Sequence, residues 1–256
     1  MILYFSATGN TQYAAKCIAD ATDDVVVSIR ECLSSGRRNF HLKENENFGL
    51  VMPTYFQGMP LLLQEFVENL TLTMDGTEHY AYAVATCGVS YGNFGSEAVR
   101  VAGKAGIHLD ATFRIRMVDN WNPYFDMTDK EYIDAAEQRA EADLAEVCAS
   151  VAAKEKGVYL PDSFDHKQEE ELAASYEESR KTQLFRINET CVGCGVCAGQ
   201  CPVEAIEMQN KKPVWVKEKC LLCLGCVHKC PMNAIAYTED TVGHGQYMNP
   251  HISEII

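Results

Sequence analysis

The chain has 256 residues, of which 47% are hydrophobic, so one large and one small domain can each bury a core. Its formal net charge of −14 offers no basic stripe for phosphates, which excludes nucleic acid as an expected partner. No apolar run reaches the roughly 18 residues of a membrane span, and no signal peptide precedes the first apolar segment. We therefore expect a cytoplasmic protein with reduced thiols and no membrane span.

Residues 1–157 alternate between strand and helix patterns. Short apolar runs predict strands at residues 2–5, 25–29, 48–52, 80–86 and 112–118. Helical periodicity predicts helices at residues 11–21, 60–70 and 92–106, and a capping box at Thr128 and Glu131 predicts a long helix. Five strands alternating with helices indicate a doubly wound parallel α/β sheet, whose ligands bind beyond the carboxyl ends of the strands.

The loop after the first strand, Ser6-Ala7-Thr8-Gly9-Asn10-Thr11, leads into a helix N-terminus. Its hydroxyls, its backbone N–H groups and the helix dipole all favour an anion, which predicts a phosphate site. The loop contains no Lys or Arg, so it is not a Walker A loop, and it does not match G-x-G-x-x-G. The alternative is a helix N-cap without a ligand. The predicted cofactor contacts are Ser6, Thr8, Gly9, Asn10 and Thr11.

Two further loops follow the third and fourth strands, at residues 53–60 and 86–95, and both combine aromatic side chains with glycines. A flat apolar ring needs aromatic faces, and glycine lets the backbone approach its polar edge. The alternative is that these aromatic residues belong to the core. The predicted contacts are Thr54, Tyr55, Phe56 and Gly58 in the first loop and Thr86, Cys87, Gly88, Tyr91 and Gly92 in the second.

The first loop matches the pattern Ser/Thr-x-Thr-Gly-x-Thr, and residues 1–157 thereby resemble flavodoxins. The resemblance implies bound FMN, with its phosphate in this loop and its isoalloxazine ring between the two later loops. Tyr55 and Tyr91 are the expected stacking residues. The aromatic-rich segment at residues 119–125 is expected either to pack between domains or to form a lid near the flavin.

Eight of the twelve cysteines lie in two runs with the same spacing, Cys-x2-Cys-x2-Cys-x3-Cys-Pro, which indicates an internal duplication. The first run holds Cys191, Cys194, Cys197 and Cys201, and the second holds Cys220, Cys223, Cys226 and Cys230. Three thiolates at this spacing wrap a loop around three irons of a cubane, whose fourth ligand comes from elsewhere. Zinc is the alternative, but zinc sites use Cys-x2-Cys pairs separated by a longer loop.

The two runs and their flanks, residues 183–240, resemble bacterial two-cluster ferredoxins. The resemblance implies two 4Fe–4S clusters with crossed ligation, because the fourth cysteine of each run ligates the other cluster. It implies one ligand set of Cys191, Cys194, Cys197 and Cys230, and a second set of Cys220, Cys223, Cys226 and Cys201. We expect short strands at residues 183–187 and 213–216, and one-turn helices at residues 202–208 and 231–237.

Two segments lie outside the expected domains. Residues 158–182 form an acidic linker that we expect to cross the surface with its charges in solvent, and Leu172 and Tyr176 predict a short helix within it. Residues 241–256 form a C-terminal tail. We expect its side chains His244, Tyr247 and His251 to be surface residues and not metal ligands.

The order of the two domains resembles the flavodoxin–ferredoxin fusion proteins of anaerobic bacteria and archaea. The expected fold is a flavodoxin-like, doubly wound, five-stranded parallel sheet plus a small α+β ferredoxin-like domain. The resemblance implies electron transfer between two 4Fe–4S clusters and FMN, serving a protein donor and a protein acceptor. One alternative is a flavin-dependent reductase with its own small-molecule substrate, in which Cys87 or residues 121–125 line the pocket. Another is a binding protein without flavin.

Overall fold

The N-terminal part of the chain forms a parallel sheet in the computed structural model, which describes residues 1–76 and 79–253. Its strands are β1 (Ile2–Tyr4), β2 (Val26–Ser28), β3 (Asn39–Leu42), β4 (Phe48–Pro53), β5 (Thr71–Met74), β6 (Ala81–Cys87) and β7 (Ala111–Arg116). Five of them pair in the order β2-β1-β4-β6-β7, the doubly wound order of flavodoxin-like sheets. This order confirms the predicted fold class. β3 and β5 form a separate parallel pair that the sequence patterns did not predict.

Helices cover both faces of the sheet. They are α1 (Asn10–Thr22), α2 (Ile29–Ser35), α3 (Leu61–Glu68), α4 (Phe94–Lys104) and α5 (Lys130–Ala152), and a further helix, α6 (His166–Ser179), follows in the connecting segment. The four helices predicted in residues 1–157 are confirmed, whereas α2 replaces the end of the second predicted strand. Ser28 begins α2, because its hydroxyl accepts a hydrogen bond from the Glu31 N–H.

The capping-box prediction for α5 was wrong. Asp129 caps this helix and accepts a hydrogen bond from the Tyr132 N–H over 3.0 Å. The Thr128 hydroxyl instead donates to Asp126 over 2.7 Å, so it belongs to the turn before the helix.

The alternation of side chains along the strands divides the core into two layers. In β1, Ile2 and Tyr4 pack in the layer that holds α1 and α5. Leu3 points to the opposite layer, which holds α3 and α4. Both layers are built from fully buried apolar side chains, so the sheet is rigid and its carboxyl-end loops are held in defined positions.

The C-terminal part has two antiparallel strand pairs. Its elements are β8 (Phe185–Ile187), α7 (Val196–Gly199), β9 (Ile206–Gln209), β10 (Lys212–Trp215), α8 (Gly225–His228) and β11 (Ile235–Tyr237). β8 pairs with β11, and β9 pairs with β10. The predicted strands at residues 183–187 and 213–216 are confirmed.

The one-turn helices lie earlier in each cysteine run than the sequence predicted. α7 and α8 each contain the third cysteine of a run and end before the fourth. The last three residues of each segment expected to be helical, 206–208 and 235–237, are strand instead. Ile206 and Ile235 are buried there and pair with neighbouring strands. β-branched side chains suit such paired, half-buried positions.

The linker and the C-terminal tail both pack on the domains. In α6, the predicted helix around Tyr176 is confirmed, and the Tyr176 hydroxyl donates to the Leu221 carbonyl over 2.7 Å. In the tail, Tyr247 is 5% exposed, so the expectation of a surface residue was wrong. Residues 254–256 of the expected tail lie outside the described residues. Within the described ranges, every helix is too short or too polar to cross a membrane.

Candidate cofactor sites

The eight cysteines of the two runs gather into two groups. One small cavity is lined by Cys191, Cys194, Cys197 and Cys230, which we call the first cysteine group. Another is lined by Cys201, Cys220, Cys223 and Cys226, the second cysteine group. In each group the fourth cysteine of one run joins the first three of the other. Within the described residues, no three Cys, His, Asp or Glu side chains are placed to hold a single metal ion.

Backbone N–H groups point at several of these sulfur atoms. The Ala205 N–H donates to Cys201 Sγ over 3.2 Å, and the Ala234 N–H donates to Cys230 Sγ over the same distance. These two bonds occupy equivalent positions in the duplicated runs. Hydrogen bonds to ligand sulfurs favour the thiolate and tune the potential of a bound cluster.

Left-handed backbone turns allow each run to curl around its cavity. The turns lie at Gly193 (φ 73°) and Gly195 (φ 79°) in the first run. The equivalent residues of the second run are Leu222 (φ 56°) and Leu224 (φ 53°). Glycine adopts this conformation without strain, whereas for leucine it costs about 1–2 kcal/mol. The second run therefore needs compensating contacts.

Burial suppresses ionisation of the bare thiols in the second cysteine group. It raises the pKa of Cys220 to about 12 and that of Cys223 to about 11, so both sulfurs keep their protons at neutral pH. A cluster bound by these cysteines would require the protons to leave, because thiolates are the metal ligands.

A cavity of about 540 Å³ lies beyond the carboxyl ends of β1, β4, β6 and β7. This is where doubly wound sheets bind ligands, and the volume lies within the range of cofactor sites. Ten of the predicted cofactor-binding residues line it: Ser6, Thr8, Asn10, Thr11, Thr54, Tyr55, Phe56, Thr86, Cys87 and Gly88. Among the described residues that line the cavity, none is Lys, Arg or His.

Four other predicted residues lie behind the cavity wall and shape the loops. Gly9 donates its N–H to the Ser6 hydroxyl over 3.0 Å. Gly58 pairs with Tyr55 in a tight turn. Tyr91 packs against the core instead of facing the cavity. Gly92 has a φ of 61°, and a Cβ atom there would lie 1.6 Å from the Gln57 carbonyl oxygen, so only glycine fits.

Hydroxyl groups line the predicted phosphate end of the cavity. The Thr8 hydroxyl accepts a hydrogen bond from Asn120 Nδ2 over 2.6 Å, and the Ser6 hydroxyl accepts one from the Gly9 N–H. In these bonds each hydroxyl acts as acceptor, which leaves its own proton available to an anion. Thr11 and Thr86 share a hydrogen bond of 2.7 Å between their hydroxyls. The site thus fits a phosphate bound by neutral donors.

A strained turn forms the wall opposite the phosphate end. Phe56 (φ 48°) and Gln57 (φ 65°) both have left-handed conformations between the paired residues Tyr55 and Gly58. Glu97 holds the end of this turn, since its carboxylate accepts the Met59 N–H over 2.6 Å. Burial raises the pKa of Glu97 to about 7. Backbone strain of this kind is commonly retained at ligand sites.

Gln57 supplies an unsatisfied polar atom in the cavity wall. Its Oε1 atom is buried and has no hydrogen-bond partner within the part of the chain that the structure describes. A buried acceptor without a partner is costly, which indicates that a ligand donor fits there. An aromatic wall with one polar acceptor, and hydroxyl donors at the other end, fits FMN.

Asp119 and Asn120 belong to the segment after β7 that was expected to pack between domains or to form a lid, but neither was predicted as a cofactor contact. Asp119 and Asn120 line the cavity, and the Asp119 carboxylate accepts the Trp121 N–H over 3.1 Å. Burial raises the pKa of Asp119, and it raises that of the neighbouring thiol Cys87 to about 12. The position of this loop after the last strand of the sheet was the signal that could have identified it.

The C-terminal domain closes one side of the same cavity. Leu222, Cys223 and Leu224 of the second run line it, together with Leu172 and Ser175 of α6. The second cysteine group therefore shares a wall with the predicted flavin site.

An aromatic cluster joins the two domains beside this wall. Phe56 lies 5.1 Å from Tyr176 and 5.5 Å from Trp121, measured between ring centroids. Trp121 in turn lies 5.5 Å from Tyr237 of β11. Such pairs stabilise an interface beyond their buried area. Trp121 thus packs between the domains and also lines the cavity.

Comparisons with known families agree with both halves of the site. The family described as Flavodoxin matches residues 2–111, and the family described as 4Fe-4S dicluster domain matches residues 183–239. The chain is a fusion of a flavodoxin domain with a 4Fe–4S ferredoxin domain. These domain families imply a flavin and 4Fe–4S chemistry.

Short stretches of the fusion resemble curated ferredoxins. It is 61% identical over 23 residues to Ferredoxin-1 of Rhodospirillum rubrum, covering 9% of this chain and 42% of that protein. It is 68% identical over 22 residues to Ferredoxin of Clostridium butyricum, covering 9% and 40%. The fusion thus matches about two fifths of the length of these relatives.

Solved structures resemble part of the fusion. A flavodoxin of Streptococcus pneumonia TIGR4 is 20% identical, with 57% of this chain and 97% of that chain covered and a TM-score of 0.32. Rubredoxin oxygen:oxidoreductase from Desulfovibrio gigas is 14% identical, with 59% and 36% covered and a TM-score of 0.33.

Proposed function

We propose that the fusion is an internal electron-transfer chain that runs from a protein redox partner through two 4Fe–4S clusters to FMN, or in the reverse direction. The order is partner, first cysteine group, second cysteine group, flavin cavity. When bound, the clusters exchange single electrons and the flavin exchanges one or two. The protein supplies the distances, the burial and the hydrogen bonds that set the potentials.

The observation that carries this proposal is the position of Cys223. This predicted cluster ligand lines the same cavity as Thr8 of the phosphate loop and Tyr55 of the flavin loop. Gly225, two residues further on, lies against Ala7, because a Cβ atom at position 225 would come within 3.8 Å of the Ala7 side chain. A cluster held by Cys223 and a flavin in the cavity would be neighbours without an intervening protein layer.

The surface near the first cysteine group suits a protein partner. Cys194 is exposed, and the apolar side chains Val192, Val196 and Met232 next to the group are exposed as well. Exposed apolar side chains around a redox centre favour transient docking. We propose that the electron-donor or electron-acceptor protein binds here.

We retain the domain division predicted from the sequence as part of this proposal. Residues 1–157 form the flavin domain, residues 183–240 form the cluster domain, residues 158–182 connect them, and residues 241–256 form the tail. The cluster ligands are the two cysteine groups, and the flavin contacts are the cavity-lining residues predicted above.

Anaerobic purification with quantification of iron, sulfide and released flavin tests the cofactor content. We expect about eight irons and about one FMN per chain. About four irons would contradict the two-cluster assignment. Full iron without FMN binding, even after FMN is added, would contradict the flavin assignment and leave a ferredoxin domain joined to an empty flavodoxin fold.

A second candidate function is a flavin-dependent reductase with its own small-molecule substrate. The observation that favours it is the open side of the cavity, where Tyr124 lines the wall and is 83% exposed, and where the half-buried carboxyl of Asp119 also lies. Steady-state assays separate the two functions. Oxidation of NAD(P)H by the fusion alone supports a reductase, whereas turnover that requires a reduced donor protein supports the electron-transfer chain.

A further inference from the structure

We propose that residues 244–251 of the tail, here called the strap, position the phosphate loop of the flavin site. The inference rests on the proposed binding of FMN and adds a set of residues far from the loop in sequence. The strap residues act through the loop and not by contact with the cavity, since none of them lines it. Their role is therefore that of positioning residues.

The strap bonds directly to the phosphate loop. The Asn249 backbone N–H donates to the Thr8 carbonyl over 2.8 Å. Because a peptide group is planar and trans, this bond turns the following Gly9 N–H the opposite way, toward the Ser6 hydroxyl. The strap thus determines the orientation of a peptide at the centre of the loop.

The side chain of Asn10 is held by three protein groups at once. Its Oδ1 atom accepts hydrogen bonds of 3.1 Å from the Tyr247 hydroxyl and from Asn249 Nδ2, and its Nδ2 atom donates to the Val118 carbonyl over 3.0 Å. Asn10 begins α1 at the edge of the cavity, so these bonds orient the helix N-terminus that faces the phosphate. Its amide is therefore engaged by protein groups, and the sequence-based expectation of a direct cofactor contact fits its backbone better.

The strap also forms hydrogen bonds with the cluster domain. Gln246 Nε2 donates to the carbonyls of Val227 and Cys230, over 2.6 and 2.8 Å. The Tyr247 N–H donates to His228 Nδ1 over 3.1 Å, and His228 Nε2 donates to the Asn120 carbonyl over 2.9 Å. These two bonds fit the neutral tautomer of His228 that carries its proton on Nε2.

A closed path of hydrogen bonds results. Asn120 Nδ2 donates to the Thr8 hydroxyl, which returns the path to the phosphate loop. The strap, α8, the loop after β7 and the phosphate loop thereby form one ring of polar contacts. Most of these groups are buried, so each is costly to leave without its partner. Order at the phosphate loop is thus coupled to the docking of the cluster domain.

Flavin titration of the full chain with intact clusters tests the inference. The variants are Asn249→Ala and Tyr247→Phe. The control is Met248→Ala, because Met248 lies between them in the sequence and is 37% exposed. Dissociation constants are measured for FMN and for riboflavin, which lacks the phosphate. We expect Asn249→Ala to raise the Kd for FMN about tenfold and Tyr247→Phe about threefold, with the Kd for riboflavin changed less than about twofold.

The ratio of the two Kd values separates positioning from general destabilisation. Tyr247→Phe keeps the buried ring, so it reports on the hydroxyl even if Asn249→Ala loses clusters or fails to fold. Equal increases for FMN and riboflavin, or unchanged values in both variants, would overturn the role of the strap while FMN binding by the parent protein upheld the proposed function. A parent protein that binds neither flavin would overturn both.

Discussion

The two cysteine runs have the same ligand spacing but different surroundings. In the first run, glycines occupy the left-handed positions, and Val192 is 62% exposed. In the second run, leucines occupy those positions, and Leu221, the equivalent of Val192, is 2% exposed within the core layer of the flavodoxin domain. The duplication thus preserved the ligands, while the residues between the ligands directed one group to the solvent and the other to the flavin cavity.

Magnitudes explain why the second run accepts strained leucines. Left-handed backbone at Leu222 and Leu224 costs about 1–2 kcal/mol for each residue. Complete burial of a leucine side chain contributes about 1.5–3 kcal/mol, and both of these side chains are buried. Burial therefore offsets the strain, within the core of the cluster domain, against which Phe56 and Trp121 of the flavodoxin domain also pack. The comparison predicts that the second run depends on the interface and the first does not.

Removal of a ligand from the second cysteine group tests the order of the proposed path most severely. We expect Cys223→Ser to lose about half of the iron and to slow reduction of FMN by a donor protein by at least about 100-fold, because the cluster next to the cavity is lost. Rapid-mixing absorbance at flavin and cluster wavelengths measures this rate. FMN reduction at the parental rate would contradict the path.

Truncation of the docking leucine tests the interface itself. We expect Leu221→Ala to lower the free energy of unfolding by about 2–5 kcal/mol, because it leaves a cavity in the flavodoxin core. The matched change in the first run, Val192→Ala, removes an exposed side chain and is expected to alter it by no more than about 0.5 kcal/mol. Denaturant titration compares the two. Equal effects would show that the runs do not differ in docking.

The pH dependence of stability tests the Glu97 carboxyl, which holds a turn on the flavodoxin side of the cavity. The folded-state pKa of Glu97, about 7, lies above its ordinary value of 4.5 because the carboxyl is buried. The folded state therefore binds the proton more tightly, so stability from this group is present below about pH 4.5 and is lost as the pH rises through about 7. The loss is on the order of 3 kcal/mol.

The variant Glu97→Gln isolates this contribution. It keeps an oxygen acceptor for the Met59 N–H and removes the titration, so we expect a smaller decline in stability over the same pH interval. Denaturant titration at several pH values measures it. An identical pH dependence in the parent and the variant would assign the effect to another group.

The smallest expected effect concerns a polar contact of the first run. Arg30 Nη2 in α2 donates to the Gly199 carbonyl at the end of α7 over 2.9 Å, at an exposed position. We expect Arg30→Ala to change the free energy of unfolding by about 0.5 kcal/mol or less and to leave FMN reduction unchanged. A loss of several kcal/mol would mean that the first run is also anchored to the flavodoxin domain.

Local patterns predicted the main sheet well and its additions poorly. The five sheet strands are apolar runs that end in turns, so their periodicity is visible in the sequence. β3 and β5 were not predicted, because both strands are short and partly exposed, with only Phe40 and Leu42 buried. The helices of the cluster domain were misplaced because four-residue elements carry too little periodicity to locate.

The sequence alone predicted the ligand chemistry, since cysteine spacing and the hydroxyl-rich loop are local features that suit their groups within one short segment. Tertiary structure decided which cysteine group faces the cavity, because Leu222, Cys223 and Leu224 line it only once the second run lies against the flavodoxin domain. It also decided the role of Asn10, whose partner Tyr247 lies 237 positions away. No local pattern encodes a hydrogen bond over that separation, because it forms only once both domains and the tail are packed.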